Sequence, residues 1–256
     1  MRLRVVDSGT YPEPVQQALE RVLTDQLAAG EMEPTLRFWY RDAPAVAMGR
    51  FQAYADEVAV DYVAEQEIDV VRRVTGGGAM FVEPGAVITY SLYLPRSFVS
   101  DDVAESYAEL DQWAIEALRS LGLDVAHEPL NDVVHPDGKI GGAAQLRTDD
   151  AVLHHTTMSY DLDTEEMLRV LRIGEEKISD KAIASAEKRV AVMSDYTDAS
   201  RETVIRTMTD TIADRLDSID DSLSDVVEWE LSEDTLSEAR NLAADRFATD
   251  EWNRQL

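Results

Sequence analysis

The chain has 256 residues, 45% of them hydrophobic, enough for one large core or two small ones. Its 24 basic and 51 acidic residues leave a formal net charge of −27, which repels nucleic acid and anionic membranes and excludes both as expected partners. Cysteine is absent, so disulfides, thiolate metal sites and cysteine nucleophiles are excluded.

The charge is unusual in kind, with only four lysines against twenty arginines. Such a carboxylate surface resembles that of proteins from salt-loving microbes. At molar salt the Debye length falls to about 3 Å and like-charge repulsion is screened. The start, MRLRVVDSG, lacks the apolar stretch of a signal peptide, and no apolar run approaches the roughly 18 residues of a membrane span. A soluble, cytoplasmic protein is expected.

In chain order, residues 2–6 read as a strand. Pro12 and Pro14 open a helix with Val15, Ala18, Leu19, Val22 and Leu23 on one face, and Gly30 stops it. Two strands, 36–40 and 45–48, are expected as a hairpin about a turn at Asp42 to Pro44, with a loop at Gly49-Arg50-Phe51-Gln52. An acidic helix over 57–67 leads to a strand at 68–74, three glycines, and a second strand in which Ile88, Tyr90, Leu92 and Leu94 alternate with Thr89, Ser91 and Tyr93. Spacing predicts a helix over 101–121 ended by Gly122, strands through 124–161, helices at 164–171 and 201–216, and a last helix from Ser232. The acidic loop 217–225 is the one stretch that suggests a boundary, and no repeat or linker is seen. Strands precede helices instead of alternating with them, so the expected class is α+β, a mixed or antiparallel sheet packed with helices in a single domain over 1–256.

Two clusters carry chemistry. In the first, Arg72 and Arg73 precede Thr75, Gly76, Gly77 and Gly78. Glycine admits positive φ and close backbone approach, and exposed N–H groups in such a turn favour anions. A turn of this composition also forms for structural reasons alone. The second is NDVVHPDGKIGG, residues 131–142. Lys139 stands between Gly138 and Ile140-Gly141-Gly142, where a compact ammonium suits an acyl or phosphoryl oxygen, or where a hairpin simply carries one solvated lysine. Asn131 and Asp132 suit a ribose or a phosphate-bound metal, or form an Asx turn. His154 and His155 fall on a strand and point to opposite faces, so one is expected to line a site and the other to pack or to be solvated. Lys177, Lys181 and Lys188 crowd into twelve residues, either as a loop closing over an anion or as an exposed helix with ion pairs.

These stretches together resemble the lipoate–protein ligase A family of the biotin/lipoate ligase fold group. RRVTGGGAMF, NDVVHPDGKIGGAA and LHHTTMSYDLD are similar to its three main motifs. WYRDAPAVAMGRFQ, KISDKAIASAEKRVAVM and RFATDEWN match flanking ones, in family order from about residue 30 to 253. The resemblance implies a class II aminoacyl-tRNA synthetase/biotin ligase-like catalytic fold. It also implies an ATP- and Mg²⁺-dependent reaction in which lipoate forms lipoyl-AMP and the lipoyl group passes to a lysine of a carrier domain. The carriers implied are lipoyl domains of 2-oxoacid dehydrogenase complexes or the glycine cleavage carrier protein. Lys139 would be catalytic, and Arg73, Thr75, Gly76, Gly77, Gly78, Asn131, Asp132, Gly141 and His155 would bind substrate or nucleotide, Asp132 also Mg²⁺. Departures at Val82-Glu83-Pro84-Gly85-Ala86 and at Thr156 leave acyl preference open. A form without the C-terminal accessory domain of longer members is expected, in the manner of short archaeal-type forms that use a separate small protein. An octanoyl or lipoyl transferase of this fold is disfavoured by the missing cysteine. Biotin ligase is disfavoured by Thr75-Gly76-Gly77-Gly78 in place of its Arg-rich glycine loop, and a non-catalytic binding module remains an alternative.

Overall fold

A computed structural model describes residues 1–172 and 190–256. Strand β1 (Arg2–Tyr11) leads into helix α1 (Glu13–Ala28), which starts after Pro12, tolerates Pro14 in its first turn, and stops before Gly30 at φ 74°. Next come β2 (Thr35–Arg41), β3 (Ala45–Met48), α2 (Tyr54–Glu57), α3 (Val60–Glu65), β4 (Asp69–Arg72), β5 (Met80–Val82) and β6 (Val87–Pro95). Helix α4 (Val103–Ser120) is capped by Asp102, whose carboxylate accepts from the Glu105 N–H. Strands β7 (Ala126–Glu128), β8 (Asp132–His135), β9 (Gly138–Arg147) and β10 (Ala151–Ser159) precede α5 (Thr164–Val170). Then follow α6 (Arg201–Ala213), β11 (Asp225–Trp229), α7 (Glu233–Leu242) and α8 (Asp250–Asn253).

Eight strands form one mixed sheet in the order β11-β1-β2-β6-β10-β9-β8-β7, and β4-β3-β5 form a second, small sheet. The β11–β1 and β1–β2 pairs are parallel, and the rest of the large sheet is antiparallel. The expected α+β class is therefore the one observed. β6 lies at the centre; its two-residue alternation sends one set of side chains to each face, and helices packed on both sides bury both sets. Ile88, Tyr90, Leu92 and Leu94 join Trp113, Leu118, Val204 and Met208 of α4 and α6 in the main core. On the other side Tyr93 packs with Leu23, Leu27 and Leu153 beneath α1, while Ala18 and Leu19 meet Leu236 and Phe247. Each large apolar side chain so buried stabilises the fold by about 1.5–3 kcal/mol.

The expected hairpin of 36–40 with 45–48 does not form. β2 pairs with β1 and β6 in the large sheet, whereas β3 runs parallel to β4 and antiparallel to β5. Both strands are almost wholly buried, and a Pro-containing turn serves a strand changing sheets as well as it serves a hairpin. The glycine-rich stretch joins β4 to β5 within the small sheet, and the chain crosses to the large sheet only after β5, an additional strand, to enter β6. The acidic loop 217–225 is no boundary in the sheet, because β11 directly after it pairs with β1.

Candidate active site

A cavity of about 290 Å³ opens between the two sheets. Its polar wall includes Lys139, Asn131, Arg73 and His155, with the backbone of Gly77, Gly78, Gly141 and Gly142; its apolar wall includes Phe81, Ile140, Leu162, Met167 and Leu171. β9 and β10 supply one side, the small sheet and α5 the other, and α1 and β2 close the end with Gln17, Trp39 and Arg41.

Lys139 lies near the start of β9, and its Nζ stands 2.7 Å from Asp132 Oδ1 on β8. Both side chains are partly exposed, so the pair contributes little stability and can part for a ligand. Gly142 makes this possible: a Cβ there would come within 2.8 Å of Lys139 Nζ. Gly141 is needed for strand packing, since its Cβ would sit 2.7 Å from the Thr157 carbonyl oxygen. Asn131 Nδ2 donates to the Ala143 carbonyl at 2.5 Å, and the Ala143 N–H returns a bond to the Asn131 carbonyl. This fixes the turn before β8.

The glycine loop after β4 is wrapped round a buried cation. The Arg73 guanidinium donates to the carbonyls of Gly76 at 2.7 Å, Gly78 at 3.1 Å and Ala47, and to Thr75 Oγ1 at 3.2 Å. Burial pushes its pKa down to about 10, so it remains charged at neutral pH. With the carbonyls turned to Arg73, the N–H groups of Gly76, Gly77 and Gly78 donate to no backbone carbonyl among the described residues. Gly77 has φ 92°. The preceding loop is fitted to this one: a Cβ on Gly49 would lie 1.9 Å from the Gly77 carbonyl oxygen, and the Arg50 N–H donates to the Thr75 carbonyl at 2.8 Å.

Arg72 ties three distant stretches together. Its guanidinium donates to the carbonyls of Gln52 at 2.6 Å, Arg50 at 3.1 Å and Asn253 at 2.8 Å, and its N–H donates to Asn253 Oδ1 at 2.9 Å. The Trp252 indole donates back to the Arg72 carbonyl at 2.8 Å.

The two histidines point to opposite faces of β10, as expected. His155 lines the cavity, with Nε2 2.9 Å from Thr75 Oγ1 and Nδ1 2.9 Å from Glu20 Oε2. His154 is sealed on the other face beside Asp111. Burial pushes the His155 pKa down, only partly offset by Glu20, and keeps the ring neutral. Burial alone would push the Glu20 carboxyl up, but the His155 hydrogen bond and the Arg37 charge hold it below the usual range.

Of the expected site residues, Lys139, Arg73, Gly77, Gly78, Asn131, Gly141 and His155 line the cavity. Thr75 is buried behind it through His155, and Asp132 reaches it through Lys139. Gly76 lies on the outer side of the loop toward Phe51. Lys177, Lys181 and Lys188 lie outside the described residues. Among those described, no three His, Cys, Asp or Glu side chains converge on a metal position.

Sequence reasoning missed Glu13 and Glu20 on α1 and their partners Arg41 and Arg37 on β2. Arg37 Nη2 lies 2.8 Å from Glu20 and Arg41 Nε 2.6 Å from Glu13, all four buried. The signal was present as polar residues on an apolar stripe, with Gln16 and Glu20 at the spacing of Leu23 and Leu27. Arginines alternating with Trp39 on a buried strand carried the other half of it.

A profile of the lipoyl protein ligase A/B catalytic domain matches residues 13–213. The chain is 32% identical over 238 residues to lipoate-protein ligase A subunit 1 of Thermoplasma acidophilum, covering 88% of this chain and 86% of that protein. It is 26% identical over 275 residues to an octanoyltransferase LipM of Lysinibacillus sphaericus, covering 97% of each. Among solved structures, it resembles that of a bipartite lipoate protein ligase from Thermoplasma acidophilum, described with its E2 lipoyl domain, with TM-score 0.87 and 29% identity over 99% of this chain and 96% of that one. It also resembles a lipoate-protein ligase A bound with ATP, with TM-score 0.83 and 26% identity over 99% of both chains. The chain is an enzyme of the lipoyl protein ligase A/B catalytic-domain family.

Proposed function

We propose that this chain is an ATP-dependent lipoate–protein ligase. The observation that carries the reading is the two-sided cavity, in which an apolar wall for a medium-chain acid meets a lysine and a glycine loop whose N–H groups donate to no backbone carbonyl among the described residues. In the first step a carboxylate oxygen attacks the α-phosphorus of ATP and pyrophosphate leaves. In the second a carrier lysine amine, after losing a proton, attacks the acyl carbonyl and AMP leaves. Lys139 would neutralise charge developing on the carboxylate and α-phosphoryl oxygens, and the loop N–H groups would receive phosphoryl oxygens. Mg²⁺ would arrive with the nucleotide and shield its phosphates. Asp132 fits it as a single carboxylate, the usual protein share for Mg²⁺ on a phosphate substrate.

The similarity to an octanoyltransferase supports a second reading, acyl transfer without ATP. Two features weigh against it: the sequence has no cysteine, and Thr75, the hydroxyl nearest a histidine in the glycine loop, is buried. Because a relative is named as one subunit of a bipartite ligase, we place this chain as one catalytic domain that acts with a separate small subunit and modifies a lipoyl carrier domain. The acidic, lysine-poor surface is read as adaptation to high salt.

The test is transfer of lipoate or octanoate to a carrier domain in low and molar salt, with and without ATP and a candidate second subunit, while pyrophosphate is followed. Transfer that requires ATP and releases pyrophosphate is expected, with the unfolding midpoint rising with salt. ATP-independent transfer from an octanoyl carrier would establish the second reading instead.

A further inference from the structure

Glu20 belongs to none of the motifs, yet it sits at the root of the site. The carboxylate is fully buried on α1 behind the cavity wall. Oε1 accepts from Arg37 Nη2 at 2.8 Å, from Ser91 Oγ at 2.9 Å and from the Tyr93 hydroxyl, while Oε2 faces His155 Nδ1 at 2.9 Å. From His155 the chain of contacts continues through Nε2 to Thr75 Oγ1 at 2.9 Å, and Thr75 Oγ1 accepts from Arg73 Nε at 3.2 Å. The same Arg73 holds the carbonyls of Gly76 and Gly78.

Hydrogen-bond chemistry fixes the direction of each proton in this series. An ionised carboxylate only accepts, so Nδ1 of His155 carries the ring proton. The neutral ring then offers Nε2 as an acceptor, and the Thr75 hydroxyl must donate to it. That leaves the Thr75 oxygen free to accept from Arg73. With the proton on Nε2 instead, two donors would face Thr75, from His155 and from Arg73, and its single hydroxyl proton would have no acceptor in the series. We propose that Glu20 is a positioning residue of the acyl-adenylate site: by setting the His155 tautomer it orients Thr75 and, through Arg73, holds the glycine loop with its N–H groups available to the cavity. This rests on reading the cavity as the site of adenylate formation.

The charged and titratable groups around His155 come from every neighbouring element. They are Glu20 on α1, Arg37 on β2, Tyr93 on β6, Arg73 after β4, and His154 beside it on β10. Arg37 and Tyr93 reach the Glu20 carboxylate, which concentrates their influence on one side chain.

The experiment reads tautomer and rate in the full-length protein. Histidine ¹⁵N spectra should show His155 of the wild type protonated at Nδ1 and not at Nε2. Glu20→Gln should bring in the Nε2–H form and lower kcat for lipoate-dependent ATP–pyrophosphate exchange by about tenfold to a hundredfold, the scale expected when reacting groups are slightly misplaced. Thr75→Val should lower kcat similarly, and Thr75→Ser, which keeps the hydroxyl, should recover most of that loss. An Nε2–H wild-type ring overturns the proposal, as does a folded Glu20→Gln protein with unchanged tautomer and kcat. Should Glu20→Gln not fold, the wild-type spectrum and the Thr75→Val and Thr75→Ser pair decide in its place. A wild type with no lipoate-dependent exchange would remove the ligase reading, and the tautomer with and without Glu20 would then judge this proposal separately.

Discussion

Adjacent histidines on β10 put the same chemistry to two uses. His154 lies beneath α4, where Asp111 Oδ1 meets its Nε2 at 2.8 Å and also accepts from Tyr90 and Thr156. His155 lies beneath α1, where Glu20 plays the matching part. Each ring is buried and paired with a helix carboxylate, but among the described residues the first pair leads through Gln145 and Arg147 to the Ser100 carbonyl, whereas the second leads to the glycine loop that lines the cavity. A buried histidine–carboxylate pair is therefore not a functional signal by itself. What marks the site is where the series of contacts ends.

The comparison can be broken most sharply at Lys139. Lys139→Ala should lower adenylate formation by about a thousandfold, the upper range for losing one preorganised donor, with little change in melting temperature. Near-normal pyrophosphate exchange in that variant would take the cavity's cationic end out of the chemistry. On the closed face, Asp111→Ala should cost about 3–5 kcal/mol in urea denaturation, because three buried polar groups lose one acceptor. The surviving folded protein should keep its KM for lipoate, and a large rise in KM would mean that the two faces are coupled. Gly49→Ala strikes the loop without removing any functional group. Its Cβ would collide with the Gly77 carbonyl, so a loss of about a hundredfold in kcat/KM is expected.

Acid should separate the faces more gently. Burial depresses the His155 pKa below its unfolded value of about 6.5, so the unfolded chain binds that proton first as pH falls. The corresponding stability is present above about pH 6.5 and declines below it. Glu20 and Asp111 are held low against the upward push of burial, and their contribution is lost only at more acidic pH, below about 4. Denaturant titrations from pH 8 to 3 should show two stages of weakening. A flat profile down to pH 5 would contradict the neutral, buried state of His155.

Most of the fold was legible because it is written in local periodicity. The alternation in β6, the stripe of α4 and the Ser232 cap each act over a few residues and survive in the structure. The destination of β3 was not legible, since a turn at Pro44 is equally compatible with either sheet. The glycines and Lys139 stood out as chemistry that a core has no use for. Glu20 and Arg37 did not, because each taken alone reads as an ordinary surface charge, and only pairing across 17 residues makes them interior. In the sequence Arg72 and Arg73 stood only as two cations before the glycine turn, with Arg73 expected from the resemblance to bind substrate or nucleotide. The structure shows both guanidinium groups donating to backbone carbonyls, which is a shaping role.

Arg72 has a consequence for how this chain changes over generations. Its one guanidinium serves carbonyls of the 49–52 loop and of Asn253, so stretches about 200 residues apart share a single solution. A substitution in any one of them meets a partner already committed elsewhere, and drift is tolerated only when the stretches move in concert. Gly49, Arg72 and Asn253 should therefore be inherited as a unit, and a graft of the glycine loop into another scaffold would need all three.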